Sequence, residues 1–378
     1  MKKAAGLILL LAVIIIAVIT VSLNRGRIGN SMPGTPTSRT NGNGQNQAAS
    51  QDAITLTGYV GGEKLNFLSD PDVVKILQDK YGLILQADRR GSIEMAEDPN
   101  TGSKDFLWPS SQVALEIYKE SKRPLAQSDI IFNSPILLYS WASVTDALVK
   151  QGVVAKVKNA YYVVDFPKLV KMIEAGRQWK DVGMPQLYGR MTIFSTDPTV
   201  SNSGNMFAGL LANVLNKGQV VDQTSLPAVL PTVKKFYDSQ GFMEQSSDVI
   251  FRQFLNKGMG DKPIIVGYEA QMLEYSVQQS QDLQKRTEAV RMLYPQPTVW
   301  SSHPLIAISS NAKRLITALQ DPDIQRIAWQ KHGFRSASGA SNDPKAFTFT
   351  GIPETIDNVI PMPSAREMKQ IITALGGK

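Results

Sequence analysis

The 378-residue chain contains no cysteine. That removes structural disulfides, thiolate metal sites, a cysteine nucleophile and a lipid-modified N-terminal cysteine together. Histidine is nearly as scarce, with His303 and His332 the two present. Neither belongs to an H-E-x-x-H or comparable ligand cluster, which disfavours a zinc enzyme. The Walker A pattern is absent, as is the G-x-S-x-G elbow that would nominate one serine as a nucleophile. A hydrolase or transferase built on His303 or Glu269 therefore has no motif behind it, and no enzyme activity, catalytic residue, cofactor or metal site is assigned. No internal repeat of about 20 to 50 residues is visible, so a solenoid or propeller is disfavoured.

Charge is also less informative than its total suggests. The net charge is +7, but Lys2, Lys3, Arg25, Arg27 and Arg39 against Asp52 place +4 of it in the first 52 residues. The remaining +3, with no basic stripe carrying interleaved aromatics, gives no argument for nucleic acid.

The run Ala4–Leu23 is uncharged over twenty residues. At about 1.5 Å per residue it is long enough to cross a hydrocarbon core of about 30 Å. Lys2 and Lys3 before it favour a cytoplasmic N-terminus, partly offset by Arg25 and Arg27. Val21, Ser22 and Leu23 run into Asn24 and Arg25 without an A-x-A-like cleavage pattern, so residues 1–27 read as an uncleaved signal anchor rather than a signal peptide. Residues 28–52 are Gly, Ser, Thr, Asn, Gln and Pro with almost no large apolar side chains, the composition of a flexible tether. The expected location is single-pass in the inner or cytoplasmic membrane, with the body periplasmic or extracellular.

The body is 326 residues long and is expected to hold two lobes. Ile54–Val60 alternates like a strand, and Pro71–Tyr81 has helical spacing behind the N-cap candidate Asp70. Leu83–Ala87 and Ile130–Phe132 continue the strands and Ser111–Glu120 the helices. The same grammar restarts with strands at Tyr161–Val164, Arg190–Phe194 and Ile264–Gly267. Helices are expected at Pro167–Ala175, Asn205–Leu215 and Val249–Asn256. Ala289–Ser309 is strand-like, and Pro295 and Pro297 mark a return crossover. Helices at Ala312–Leu319, Pro322–His332 and Ser364–Leu375 are expected on the first lobe. The pattern predicts an α/β fold, with residues 53–138 and 298–378 as lobe 1 and 139–297 as lobe 2.

In α/β sheets ligands bind outside the carboxyl ends of strands, so residues just after each strand are the site candidates. In lobe 1 these are Gly61, Gly62, Lys64, Ser92, Ser110, Ser111 and Asn133. In lobe 2, Ser195 opens a polar loop that ends in Ser201, Asn202, Ser203 and Gly204 before an apolar helix. Those residues read first as a helix cap, and otherwise as small polar groups that let a ligand approach the free N–H groups of a helix start. Tyr268 and Glu269 close a buried strand, where a phenol beside a carboxylate would orient a polar ligand, or form a structural hydrogen bond. Trp108, just before Pro109, reads as a packing residue.

Four segments resemble those of bacterial extracellular solute-binding proteins, the periplasmic-binding type II class that includes molybdate, phosphate and sulfate binders. ITLTGYVGGEKLNF resembles the first strand and ligand loop, and FLWPSSQ the second-helix loop. FSTDPTVSNSGNMFAGLLANVL resembles the second-lobe strand, polar loop and helix, and IIVGYEAQ a strand ending at the cleft. The resemblance covers residues 54 to about 375. It implies a two-lobed Venus-flytrap fold that captures a small polar or anionic ligand and delivers it to an ABC-type permease. The alternative it leaves open is a tethered receptor or assembly partner. The chain departs from secreted members in lacking an evident cleavage site, and from lipoprotein members in lacking the lipobox cysteine. Deleting residues 1–52 is expected to leave a soluble, folded monomer, read by gel filtration and circular dichroism. An aggregated or unfolded product would show that these residues belong to the core.

Overall fold

In a computed structural model the described residues are 53–158, 160–279, 290–338 and 342–376. The anchor and tether expected in residues 1–52 lie outside them. Among the described residues no helix is long and apolar enough to cross a membrane.

The fold is organised by one long strand. Strand β4, Gln127–Trp141, pairs antiparallel with β9 (Trp300–Ala307) over its first half and with β8 (Val290–Gln296) over its second. Pro135 lies opposite Trp300 and Leu138 opposite Leu293. Between these pairs two residues of β4 face six of its partner, and the surplus residues carry the cis Gln296–Pro297 bond. Thr298 Oγ1 donates to the Ile136 carbonyl at 2.7 Å and Ile136 N to the Val299 carbonyl at 3.1 Å, tying the interruption to β4.

Around this spine two sheets grow in opposite directions. On one side β9 pairs with β3 (Phe106–Trp108), which leads to β1 (Ile54–Val60) and β2 (Leu83–Arg89), parallel to one another. On the other, β8 pairs with β6 (Tyr161–Asp165) and then β5 (Val154–Val157). The free edge of β4 takes β10 (Arg335–Ser336) and β7 (Ile264–Tyr268).

Helices cover both faces. Helix α1 (Pro71–Tyr81) begins where the sequence predicts, with the Asp70 carboxylate accepting from Asp72 N, and ends at Gly82 in the left-handed region, φ 62°. It packs with α10 (Lys313–Leu319) and α11 (Pro322–His332) on the first sheet, around Phe67, Leu77, Phe132 and Leu315. A second core joins α2 (Ser92–Glu97) and α3 (Gln112–Glu120) to α4 (Ala142–Lys150), α5 (Phe166–Glu174), α6 (Asn202–Leu215) and α7 (Leu226–Asp238). A third lies under α8 (Ser247–Lys257) and α9 (Glu269–Gln278).

Three expectations are corrected. The strand expected at Ile130–Phe132 is the fifteen-residue β4, whose Pro135 sits where β4 exchanges β9 for β8 and its ladder is already interrupted. Arg190–Phe194 forms only single bridges, Arg190 to Gln178 and Phe194 to Ile265. The C-terminal helix α12 (Ala365–Gly376) does not pack on the first sheet's helices alone. Ala365, Met368, Ile371 and Leu375 enter the core shared by α3, α6 and α7. Ala365 N donates to Glu116 Oε2 on α3 at 3.3 Å, while Asn213 Nδ2 on α6 donates to the Pro361 carbonyl at 2.9 Å.

Glu269 is engaged within the protein. It is fully buried, and its carboxylate takes Arg335 Nε at 2.5 Å, Arg335 Nη2 at 2.9 Å and the Tyr294 hydroxyl at 2.7 Å. Arg335 also donates to the carbonyls of Pro353 and Glu354. The pair joins the start of α9 to β10. Burial opposes the Arg335 charge, but Glu269 holds its pKa above the ordinary value. Glu269→Ala strands a buried guanidinium and is expected to lower unfolding stability by about 3–5 kcal/mol. A loss below about 1 kcal/mol in urea titration would show that water replaces the carboxylate without difficulty.

Candidate functional site

A cleft of about 450 Å³ opens where loops of the two sheets meet. One wall comes from Gly61–Glu63 after β1 and Arg89–Glu94 running from the end of β2 into α2. The opposite wall comes from Val200–Ser203 at the start of α6, Gln245–Asp248 at the start of α8, and Tyr268, Ala270 and Gln271 at the β7–α9 junction. Ser134, His303, His332 and Phe334 also line it.

Of the residues expected from sequence, Gly61, Gly62, Ser92, Ser201, Asn202, Ser203 and Tyr268 line this cleft. Lys64, Ser110, Ser111, Asn133, Ser195, Gly204 and Glu269 do not. Lys64 and Ser110 are buried beneath it. Ser111 stands at the N-cap of α3 without a capping bond, its hydroxyl buried and unpartnered. Asn133 Oδ1 accepts from Ser302 Oγ at 2.7 Å. Ser195 N donates to Gln240 Oε1 at 2.7 Å. Gly204 lies so close to the Thr196 carbonyl that a side chain has no room, which is the reason for glycine there.

The side chains of the Ser201–Asn205 segment do not cap α6. Ser201 occupies the N-cap of α6, yet its side chain caps nothing; its hydroxyl meets Ser203 Oγ at 3.2 Å, and Ser203 Oγ meets Thr196 Oγ1 at 2.8 Å. Asn202 Nδ2 reaches across to the Ser110 carbonyl at 2.9 Å and to the Tyr268 hydroxyl at 3.0 Å. Its Oδ1 is buried without a partner. Burial pushes the Tyr268 phenol up, so it stays protonated. These hydroxyls and the N-terminal N–H groups of α6 and α8 suit a polar solute.

Glu63, Arg89, Arg90, Asp248, Arg252, Glu274 and His332 also line the cleft, and no sequence motif marks them. Arg90 is paired with Asp98 and Glu94 and Arg252 with Asp248 at 3.1 Å, while His332 Nδ1 lies 2.8 Å from Glu274 Oε1. Arg89 is exposed and makes no ion pair among the described residues. At the floor, Lys64 Nζ contacts Glu63 Oε1 at 2.5 Å and Ser110 Oγ at 2.7 Å, and lies 3.1 Å from His303 Nδ1. Burial raises the Glu63 pKa, but Lys64, His303 and hydrogen bonds from Lys64 and Ser110 outweigh it and hold the group at about 2. Burial pushes Lys64 down from its ordinary value, with Glu63 opposing. Burial, reinforced by Lys64, keeps His303 well below 6.5 and neutral at pH 7. Trp108 is buried, its Nε1 donating to the His303 carbonyl at 3.1 Å. Among the described residues no His, Asp and Glu cluster suits a metal ion.

No protein-family model matches the sequence, and no curated protein matches it. Solved structures match the fold, which is that of periplasmic and extracellular solute-binding proteins. Iron-bound HitA from Pseudomonas aeruginosa is similar at 13% identity, covering 85% of this chain and 99% of that one with a TM-score of 0.58. The sulfate-binding protein SubI from Mycobacterium tuberculosis is 13% identical over 83% of this chain and 96% of that one, TM-score 0.52. Trichodesmium FutA in complex with iron and citrate is 11% identical over 86% and 100%, TM-score 0.53.

The floor makes a pH prediction. A folded pKa of about 2 against 4.5 unfolded means the Glu63 contribution is complete above pH 4.5 and lost as pH falls toward 2. Its size is of the order of 3 kcal/mol. The stability gap between the parent and Glu63→Gln is therefore expected to shrink over that window in acid titrations followed by circular dichroism. A gap that stays constant from pH 5 to pH 2 would contradict the assignment.

Proposed function

We propose that the chain is a membrane-tethered extracytoplasmic binding protein that captures a small polar or anionic solute and delivers it to an ABC-type permease. The observation that carries this reading is the cleft itself, whose walls come from strand-end loops of both sheets. The likeness of the fold to solute-binding proteins supports it. We take residues 53–138 and 298–378 as one lobe and 139–297 as the other. The switch of β4 between partners after Pro135 and the passage from β8 to β9 through residues 297–299 support these boundaries. The apolar run Ala4–Leu23 is the proposed anchor, with residues 28–52 as tether. A non-enzymatic role agrees with the histidines, since His303 is engaged with Lys64 and Ser301, and His332 with Glu274.

Closure over a solute would bring Gly61, Gly62 and Ser92 from one wall toward Ser201, Asn202, Ser203 and Tyr268 from the other. A thermal-shift panel of oxyanions, sugars, amino acids and organic acids tests capture. A true ligand at 100 times its dissociation constant is expected to stabilise by about 2.7 kcal/mol. Ser203→Leu is expected to abolish that response. Silence across the panel would favour a tethered receptor that moves no solute.

A further inference from the structure

The charge arrangement under the cleft narrows the kind of solute it admits. Lys64 has three ammonium protons and three buried or half-buried acceptors around it: Glu63 Oε1, Ser110 Oγ and His303 Nδ1. Because His303 Nδ1 accepts, its ring proton sits on Nε2, facing Ser301 Oγ at 3.3 Å. The Ser110 hydroxyl accepts from Lys64 and donates to Glu63 Oε1. Lys64, Ser110 and His303 are each at most 1% exposed. An ammonium and a hydroxyl thus converge on one point, the donor pair a bound oxyanion would meet. A carboxylate oxygen of the chain already stands there. Glu63 Oε2 accepts no hydrogen bond among the described residues, and the side chain keeps 28% of its surface exposed at the cleft.

We propose that the cleft floor is an oxyanion site filled by the chain's own Glu63 carboxylate, so that the admitted solute presents a hydrogen-bond donor, an ammonium or a hydroxyl, to Glu63 Oε2. Doubly charged inorganic oxyanions are refused. They would meet a fixed negative charge and find no Lys64 proton left to take. The other basic side chains facing the cleft do not reverse this. Arg90, Arg252 and His332 are committed to Asp98 and Glu94, to Asp248 and to Glu274, and Arg89 is exposed to solvent, where an ion pair contributes little. The inference rests on the solute-capture reading for its biological sense, but its test needs no knowledge of the natural solute.

The test uses the full chain, with sodium sulfate and sodium acetate as probes and sodium chloride at equal ionic strength as control. Melting and calorimetric titration compare the parent with Glu63→Ala. The parent is expected to ignore both probes. The variant, with Lys64 and Ser110 uncovered, is expected to be stabilised saturably and to bind sulfate at least about tenfold more tightly than the parent. Sulfate binding the parent as well as the variant overturns the proposal, and so does a folded variant that neither probe stabilises. If Glu63→Ala does not fold, Glu63→Ser, whose side chain is too short to reach Lys64 and Ser110, uncovers the same donors; the same gain is expected, and its absence is equally decisive. Sulfate binding to the parent would leave solute capture standing, whereas a silent solute panel would leave the acetate and sulfate responses of the variant fully readable.

Discussion

The backbone pairing of β4 with the β8–β9 run is the constraint on which the rest of the molecule depends. One strand contributes to two sheets, and the partner strand passes between the same two sheets in the opposite direction. Every loop at the cleft is placed by reference to that ladder. β3 lies beside β9 and β1 beside β3, which puts Gly61–Glu63 on one wall, and β7 lies on the free edge of β4, which puts Tyr268 on the other. His303 sits on β9 opposite Phe132, and this register brings it to Lys64 across 239 positions of sequence.

Elements with a local signature were legible from sequence. Asp70, Pro71 and Gly82 delimit α1 because capping, a proline at the first helical position and a left-handed glycine act within a few residues. The strands β1, β6 and β7 were legible from short apolar or alternating runs. β4 was not, since Pro135 reads locally as a stop, and only the exchange of partners explains its tolerance. Helix α7, with Pro231 inside it, was missed for a similar reason.

The site was legible by loop rather than by side chain. Choosing the loops after strands found seven cleft residues, and the polar run before α6 was the most informative of them. The choice within loops failed where burial decides the partner. In Gly62–Glu63–Lys64 the sequence favours the lysine as the ligand contact, but the fold buries Lys64 and leaves its neighbour at the surface of the cleft. Glu269 shows the same limit: its contact with Arg335 depends on β10 reaching the edge of β4, which no local pattern encodes.

The position of α12 bears on how such a fold moves. Its apolar residues are shared between α3, beside the first sheet, and α6 and α7, beside the second, and Gly376 at its end lies against Thr199. Any motion that parts α3 from α6 must leave α12 with one of them and expose its other side. Uncovering a single large apolar side chain costs about 1.5–3 kcal/mol. The helix thus ties α3 to α6 and α7 like a splint along one side. For the closure proposed above, the low-energy path is then a slide or small rotation of α12 in its groove, and the amplitude of that motion depends on a helix remote from the cleft.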